Sequence, residues 1–119
     1  MSTAYELRLD RAGGVLVAAL GGEVDLSNVD EIEDRIAREV GPDTTGLAID
    51  LRELTYLDSS GVRLLLNLSD RLRGVRRGFA VARARDGVVA RVVELVHLGD
   101  EVALTDDIEG AVEAAGGSG

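Results

Sequence analysis

The sequence contains no cysteine, no lysine and a single histidine among its 119 residues. The absence of cysteine excludes disulfides, thiolate nucleophiles and thiolate metal sites, and it fits a reducing compartment. All 13 basic residues are therefore arginine. Without lysine, a glycine-rich phosphate loop that ends in Gly-Lys-Ser or Gly-Lys-Thr is excluded as well.

Aromatic residues are also scarce, at 3% of the chain, although hydrophobic residues as a whole make up 45%. We therefore expect one domain of ordinary size, with a core of Val, Leu, Ile and Ala. The net charge of −9 repels nucleic-acid phosphates, and the sequence offers no combined aromatic and basic surface of the kind that binds single strands. Direct binding to nucleic acid is not expected.

Long hydrophobic runs are missing too. No apolar stretch approaches the ~20 residues of a membrane-spanning helix, and the chain does not open with the pattern of a signal peptide. The sequence therefore predicts a cytoplasmic protein without membrane insertion. No cofactor and no metal are expected, because neither a phosphate cradle nor a dense set of ligands is present.

The hydrophobic pattern predicts a single α/β domain over residues 1–115, followed by a disordered Gly/Ser tail over 116–119. Alternation over residues 5–10 and an apolar run over 15–20 indicate two strands, and their short connection makes an antiparallel hairpin. Strands and helices then alternate, which predicts parallel strands joined by right-handed crossovers. The expected order is β-β-α-β-α-β-α-β-α, a mixed and mostly parallel sheet with about four helices. The four predicted helices cover about residues 29–40, 61–73, 88–96 and 108–115. The other three predicted strands cover about residues 47–52, 79–82 and 102–104.

Polar residues and glycines are expected to bound these elements. Ser27 or Asn28 is a candidate N-cap for the first helix, and Asp106 is one for the last. Gly99 is a candidate C-cap for the third helix. Residues 21–25 are predicted to form a loop that ends the second strand.

Two loops follow strands at the edge of the sheet where open parallel sheets carry functional residues. They cover residues 22–28 and 58–61. Asp25 and Asp58 lie in these loops, so the two carboxylates are expected to meet above the sheet. Mg²⁺ binding there is an alternative, although a Mg²⁺ site usually has more oxygen ligands.

The segment Asp58-Ser59-Ser60-Gly61 lies where a strand gives way to a leucine-rich helix. Helix capping is the simplest interpretation, because Asp and Ser are favoured N-caps. Two adjacent serines exceed what one cap requires, so one hydroxyl is expected to face solvent. Free backbone N–H groups at a helix N-terminus also receive anions, so a phosphate at this position would be tolerated.

The same helix carries apolar residues outside its core-facing stripe. Val62 and Leu66 lie roughly 100–140° from the centre of the stripe, given a turn of 3.6 residues, and Ser69 and Arg73 lie beside them. An apolar strip next to a solvent-facing serine predicts a surface for a protein partner.

A serine hydrolase is an alternative from another class. Its nucleophile motif would be Gly-x-Ser-x-Gly, and the first glycine is missing before Ser59-Ser60-Gly61. His97 would have to reach one of the two serines, but its predicted position at a helix C-terminus favours a role at that helix end. We therefore expect a protein that is not an enzyme.

Three segments resemble the STAS domains of bacterial anti-sigma factor antagonists. The strand and loop over residues 47–62, which contain Asp-Ser-Ser-Gly, carry the most specific resemblance. Residues 22–25 (Gly-Glu-Val-Asp) are similar to the Gly-Glu-hydrophobic-Asp loop of that family. Residues 94–104 resemble its glutamate, leucine and glycine pattern before the last strand. The resemblance extends from about Tyr5 to Ala114.

The resemblance implies that an anti-sigma factor, which is also a serine kinase, phosphorylates the serine directly before the glycine, here Ser60. The unphosphorylated form would bind that kinase and free the sigma factor, and a serine phosphatase would reset the switch. Asp25 corresponds to the aspartate associated with kinase recognition. Arg63 departs from the family, in which many members carry a small residue or glycine. The predicted partner-binding residues are Asp25, Asp58, Ser59, Val62, Arg63 and Leu66.

Other roles within the same family share this fold. One is a scaffold protein of a stress-sensing complex, and another is a subunit that regulates a membrane transporter. A structural interaction module without phosphorylation is a further alternative. A neighbouring gene for a histidine-kinase-like ATPase, rather than for transport components, would favour the antagonist.

Overall fold

Five strands form one mixed sheet in the computed structural model, which describes residues 5–116. Their order across the sheet is their order along the chain, with the first pair antiparallel and the other three pairs parallel. The predicted α/β fold with an N-terminal hairpin and four helices is thereby confirmed. The elements are β1 (Tyr5–Ala12), β2 (Val15–Val24), α1 (Val29–Glu39), β3 (Gly46–Leu57), α2 (Ser59–Gly74), β4 (Gly78–Ala82), α3 (Val88–Leu95), a 3₁₀ helix (Leu98–Asp100), β5 (Ala103–Thr105) and α4 (Ile108–Gly116).

Two hydrophobic clusters pack against opposite faces of the sheet. On β3, Leu47 and Ile49 belong to the larger cluster, which includes buried residues of α1, α2 and α3. Ala48 belongs to the smaller cluster, together with Ala111 and Ala115 of α4. Because successive side chains of a strand point to opposite faces, α4 packs on the face opposite to the other three helices.

Small residues let α4 approach the sheet closely. A Cβ on Gly46, at the start of β3, would overlap the carbonyl oxygen of Ala115. The buried residues below the helix on β3 and β4 include Ala48 and Ala80. The backbone of α4 therefore lies almost directly on the sheet.

The strand β2 is longer than predicted, which carries its end to the edge of the sheet where the functional loops lie. The predicted loop over residues 21–25 is wrong, because strand pairing continues to Val24. Gly22 has a φ of +79°, and the register with β3 shifts before Gly21 and again after Gly22. A bulge at these glycines lets the ladder continue.

The C-cap of α3 is Val96, followed by His97, rather than the predicted Gly99. His97 follows the helix in the left-handed conformation, with a φ of +56°, and its N–H donates to the carbonyl of Glu94. A left-handed residue just past the C-cap is a common way to end a helix. Gly99 lies instead in the 3₁₀ helix that comes next.

The residue that caps α4 is Asp107 rather than the predicted Asp106. The Asp107 Oδ1 accepts the N–H of Gly110 at 2.7 Å. The carboxylate of Asp106 is bound instead by Arg83 at 2.6 Å and by Arg85 at 2.8 Å. Hydrogen bonds from these two arginines lower the pKa of Asp106.

The helix α4 reaches the end of the described chain. The disordered tail was predicted to begin at residue 116, but Gly116 is the last residue of α4, and residues 117–119 lie outside the described residues. The longest described helix, α2, has 16 residues, and no helix within residues 5–116 is both long and apolar enough to cross a membrane.

Candidate functional site

The strands β2 and β3 extend together beyond the other strands at one end of the sheet. Their parallel pairing continues to Val24 opposite Leu57, whereas the pairing of β3 with β4 ends at Asp50. Asp25 and Asp58 are the residues that directly follow β2 and β3. The two loops that were predicted at this edge therefore leave the sheet side by side.

Asp58 is the N-cap residue of α2. Its Oδ1 accepts the backbone N–H groups of Ser60 at 3.0 Å and Gly61 at 3.2 Å, together with the Ser60 hydroxyl at 2.5 Å. Burial raises the pKa of Asp58, but these hydrogen bonds and one from the backbone of Leu26 outweigh burial and lower the pKa below its ordinary value. The capping interpretation of this aspartate is correct, and its carboxylate is charged at neutral pH.

Most N–H groups at this helix end are not free, contrary to the prediction. The N–H groups of Ser60 and Gly61 are hydrogen-bonded to the Asp58 side chain, and that of Val62 donates to the Asp58 carbonyl. A phosphate on Ser60 would therefore lie next to the Asp58 carboxylate. Two anions would then stand next to each other.

The neighbouring serines differ in their surroundings. Ser59 is exposed, whereas Ser60 is half-buried. A Cβ on Gly61 would overlap the side chain of Leu57 and lie 3.1 Å from the Cγ1 of Val24. This glycine lets the first turn of α2 lie directly on the ends of β2 and β3, so Ser60 is held at the edge of the sheet and not within the core.

The loop after β2 is fixed by Asn28, which is not the side-chain cap that the sequence predicts. Its buried carboxamide accepts the N–H of Asp25 at 3.0 Å and donates to the carbonyl of Glu23 at 3.0 Å. The N–H groups of Asn28 and Val29 meet the Asp25 carbonyl, each at 3.1 Å. The Asp25 carboxylate accepts the N–H of Ser27 at 2.9 Å and its hydroxyl at 2.6 Å. Ser27 therefore closes the loop and does not cap α1.

Both loops line one shallow, open concavity. Its lining contains Asp25 and Asp58, which the sequence singled out, and two residues that it missed, Leu26 and Tyr56. Leu26 is 79% exposed and Tyr56 is 43% exposed. Among the described residues, the lining holds three carboxylates and no basic side chain. The full lining is Glu23, Asp25, Leu26, Ser27, Tyr56 and Asp58.

The apolar strip predicted on α2 is not an open surface. Val62 is 8% exposed and belongs to the larger core cluster, Ser69 is also buried, and Leu66 is half-buried. The helical wheel assigned the core to the sheet side alone, but α1 packs against α2 and extends the buried side of that helix. Arg63 is exposed.

His97 lies in a different part of the domain from Ser59 and Ser60. It lines a separate, strongly charged cleft together with Arg83, Arg91 and Glu94. Neither Ser59 nor Ser60 lines this cleft, so the geometry does not pair His97 with either serine in the way a hydrolase needs. The hydrolase alternative therefore gains no support from the structure.

A cation site is equally unsupported at the carboxylates of the two loops. Within residues 5–116, no group of three or more histidine, aspartate or glutamate side chains is arranged to hold a metal ion. Asp25 is hydrogen-bonded to Ser27, and Asp58 to Ser60 and Gly61. These carboxylates organise their own loops.

Comparison with known proteins gives one consistent result. The family model of the STAS domain matches residues 6–113. The anti-sigma-F factor antagonist RsfB of Mycobacterium tuberculosis is 35% identical over 85 residues, which cover 71% of this chain and 68% of RsfB. BtrV of Bordetella bronchiseptica is 32% identical over 71 residues, which cover 60% of this chain and only 61% of BtrV. A crystal structure of an anti-sigma factor antagonist from Mycobacterium paratuberculosis matches with a TM-score of 0.84 and 26% identity, covering 93% of each chain.

Proposed function

The chain belongs to the STAS domain family and, with RsfB, to the anti-sigma factor antagonists, and on this premise we propose that it is a partner switch controlled by phosphorylation of Ser60. Its unphosphorylated form binds an anti-sigma factor that is also a serine kinase, and the sigma factor is released. The kinase phosphorylates Ser60, the complex dissociates, and a serine phosphatase restores the binding form. In this role the chain is a cytoplasmic binding protein and a kinase substrate, and it catalyses no reaction itself.

The position of Ser60 carries this proposal. Its hydroxyl lies at the edge of the sheet, donates to Asp58, and stands beside the loop that holds Asp25. The residue is half-buried rather than sealed in the core, and the hydrogen bond to Asp58 fixes the direction of its hydroxyl. A serine sealed in the core would not support a phosphorylation switch.

Phosphorylation changes the charge at this site by about −1.5 to −2. The Ser60 oxygen then no longer donates to Asp58, and two anions stand where a hydrogen bond joined the residues. On the other side of the interface, a kinase acting on Ser60 holds the remaining nucleotide phosphates against the same oxygen. An added charge enclosed between such groups costs several kcal/mol, and each ~1.4 kcal/mol weakens binding tenfold.

The predicted partner-binding residues take different parts in this proposal. Val62 is buried beneath the surface and supports the first turns of α2 without touching the kinase. Leu66 offers a half-buried apolar contact further along the helix. The predicted residues that remain accessible to a partner are Asp25, Asp58, Ser59, Arg63 and Leu66.

The two adjacent serines provide a matched test of phosphorylation. Wild type, Ser59→Ala and Ser60→Ala are each incubated with ATP and the anti-sigma factor kinases of the source genome, and peptide mass spectrometry locates any phosphate. We expect one phosphate on wild type and on Ser59→Ala, and none on Ser60→Ala. A phosphate that stays on Ser60→Ala would contradict the assignment.

Binding is tested separately from phosphorylation. We expect Ser60→Ala to bind the kinase about as tightly as wild type, because it adds no charge. Ser60→Asp and Ser60→Glu should bind at least about tenfold more weakly, with an unchanged circular dichroism spectrum. Wild-type affinity in a folded Ser60→Asp variant would rule out release by charge.

A further inference from the structure

Leu26 is the most exposed large hydrophobic residue of the described chain, with 79% of its surface accessible. It lies between Asp25 and Ser27 at the tip of the loop after β2. Single exposed leucines are common on protein surfaces and need no explanation. This one is unusual because the loop that presents it is held on both sides and lies next to Ser60.

The loop has little freedom to turn Leu26 inward. Asn28, only 4% exposed, joins the backbone of Asp25 to the carbonyl of Glu23 through two hydrogen bonds of 3.0 Å. The Asp25 carboxylate accepts two further hydrogen bonds from Ser27. Leu26 is therefore held in solvent by a preorganised loop, and preorganisation reduces the entropy lost when a partner binds.

Tyr56 forms the opposite wall of the same concavity. It lies on β3 directly opposite Glu23 of β2, and 43% of its surface is accessible. Tyrosine supplies a large contact area at a small cost in conformational entropy, and it is common among the residues that dominate binding energy. Leu26 and Tyr56 thus provide two apolar groups within a ring of carboxylates.

We infer that Leu26 and Tyr56 are the apolar anchor by which the anti-sigma factor kinase holds the unphosphorylated protein, an inference that rests on the function proposed above. The anchor is continuous with the Ser60 site, since Asp58 lines the same concavity and accepts the Ser60 hydroxyl. The three carboxylates of the lining call for a complementary partner surface. The kinase therefore presents an apolar pocket with arginine or lysine side chains facing Glu23 and Asp25.

This arrangement separates affinity from switching. The anchor supplies the binding energy in the unphosphorylated state, because apolar groups in the centre of an interface are those that matter most for affinity. The phosphate on Ser60 acts at the border of the anchor, where the nucleotide of the kinase approaches. Variants of the anchor should therefore weaken binding without abolishing the response to Ser60→Asp.

Leu95 offers a matched control, because it is also a leucine, is 71% exposed at the end of α3, and does not line the concavity. Isothermal titration calorimetry with the purified kinase compares the binding of wild type with that of Leu26→Ala, Tyr56→Ala and Leu95→Ala. We expect binding at least about tenfold weaker for the first two variants, and within twofold of wild type for the third. Leu26→Met keeps the apolar volume and should bind nearly as wild type does.

The outcomes distinguish this inference from the proposed function. If wild type binds, Ser60→Asp does not, and Leu26→Ala and Tyr56→Ala bind as Leu95→Ala does, the anchor is overturned and the switch stands. Equal losses in all three alanine variants would also overturn the anchor, because the effect would not be local. If wild type binds none of the kinases, the proposed function fails and the anchor fails with it. Melting temperatures of the variants identify any loss that comes from misfolding.

Discussion

The hydroxyl of Ser60 donates a hydrogen bond to the same carboxylate oxygen of Asp58 that caps α2. One side chain therefore serves both the proposed phosphorylation site and the helix that carries it. The two roles can be separated, because the capping bonds come from backbone N–H groups whereas the bond at the site comes from a side chain. The predictions below use this separation and the packing around it.

Replacing Asp58 by alanine should destabilise the protein by about 1 kcal/mol, the usual cost of losing an N-cap. Asp58→Asn should keep most of this stability, since asparagine also caps helices well. Urea unfolding of both variants measures the difference. The exposed neighbour supplies the control, and Ser59→Ala should stay within about 0.5 kcal/mol of wild type. Equal stability of Asp58→Ala and wild type would show that the cap contributes nothing.

The lowered pKa of Asp58 predicts how its contribution changes with pH. A carboxyl whose pKa is lower in the folded state binds protons more readily in the unfolded chain. Its contribution is therefore complete above the ordinary aspartate pKa of about 4 and is lost as the pH falls through the lowered value. We expect the stability advantage of wild type over Asp58→Asn to shrink between about pH 5 and pH 3.

A comparison of two proteins is needed because other carboxyls respond to acid in the same direction. Burial raises the pKa of Asp50, but hydrogen bonds from Arg52 outweigh burial and lower the pKa below its ordinary value. Hydrogen bonds from Arg83 and Arg85 likewise lower the pKa of Asp106. These groups are present in wild type and in Asp58→Asn alike, so the difference between the two proteins reports Asp58. A difference that stays constant down to pH 3 would contradict the assignment.

Alanine at Gly61 should destabilise the protein by about 1–3 kcal/mol, the range for an overpacked core position. The added Cβ would overlap the side chain of Leu57 and press on Val24, so the first turn of α2 must move away from the sheet. Gly74, at the other end of α2, has open space around its Cβ position. Gly74→Ala should therefore be neutral or slightly stabilising in the same denaturation experiment. Similar effects of the two substitutions would contradict the close packing at Gly61.

Alanine at Asn28 should cost about 1–3 kcal/mol, because the Asp25 N–H and the Glu23 carbonyl lose their partner next to the core. The variant should also loosen the loop, which faster amide exchange of Asp25 and Leu26 would report. Asn67 is an exposed asparagine on α2, and Asn67→Ala should stay within about 0.5 kcal/mol of wild type. Unchanged exchange in a destabilised Asn28→Ala would confine this residue to a role in stability.

Local patterns predicted the hairpin and the alternating strands and helices, because the side-chain periods of strands and helices are written along the chain. They did not predict the end of β2. A pair of glycines usually ends a strand, and Gly21 and Gly22 continue one here only because β3 lies alongside to pair with residues beyond the bulge. The pairing residues of β3 are distant in the sequence, so local propensity cannot predict this pairing.

The same limit explains what was missed at the site. Asp25, Asp58 and Ser60 were expected at one edge, and the parallel topology does bring them there. Asparagine is a favoured helix cap, so the sequence predicted that role for Asn28. Its hydrogen bond to the Glu23 carbonyl depends on where that carbonyl points after the bulge. Val62 faces outward on an isolated helix and is buried only in the assembled domain, in which α1 packs against α2.

The ladder between β2 and β3 continues past the bulge at Gly21 and Gly22 to Val24 and Leu57, and it sets the spacing of the two loops at one interstrand step, about 4.8 Å. Such a ladder cannot lengthen or slide without breaking hydrogen bonds in the middle of the sheet. Under the proposed switch, a partner therefore meets the same backbone frame whether or not Ser60 carries a phosphate. The partner must therefore distinguish the two states by the phosphate group itself and not by a rearrangement of the loops.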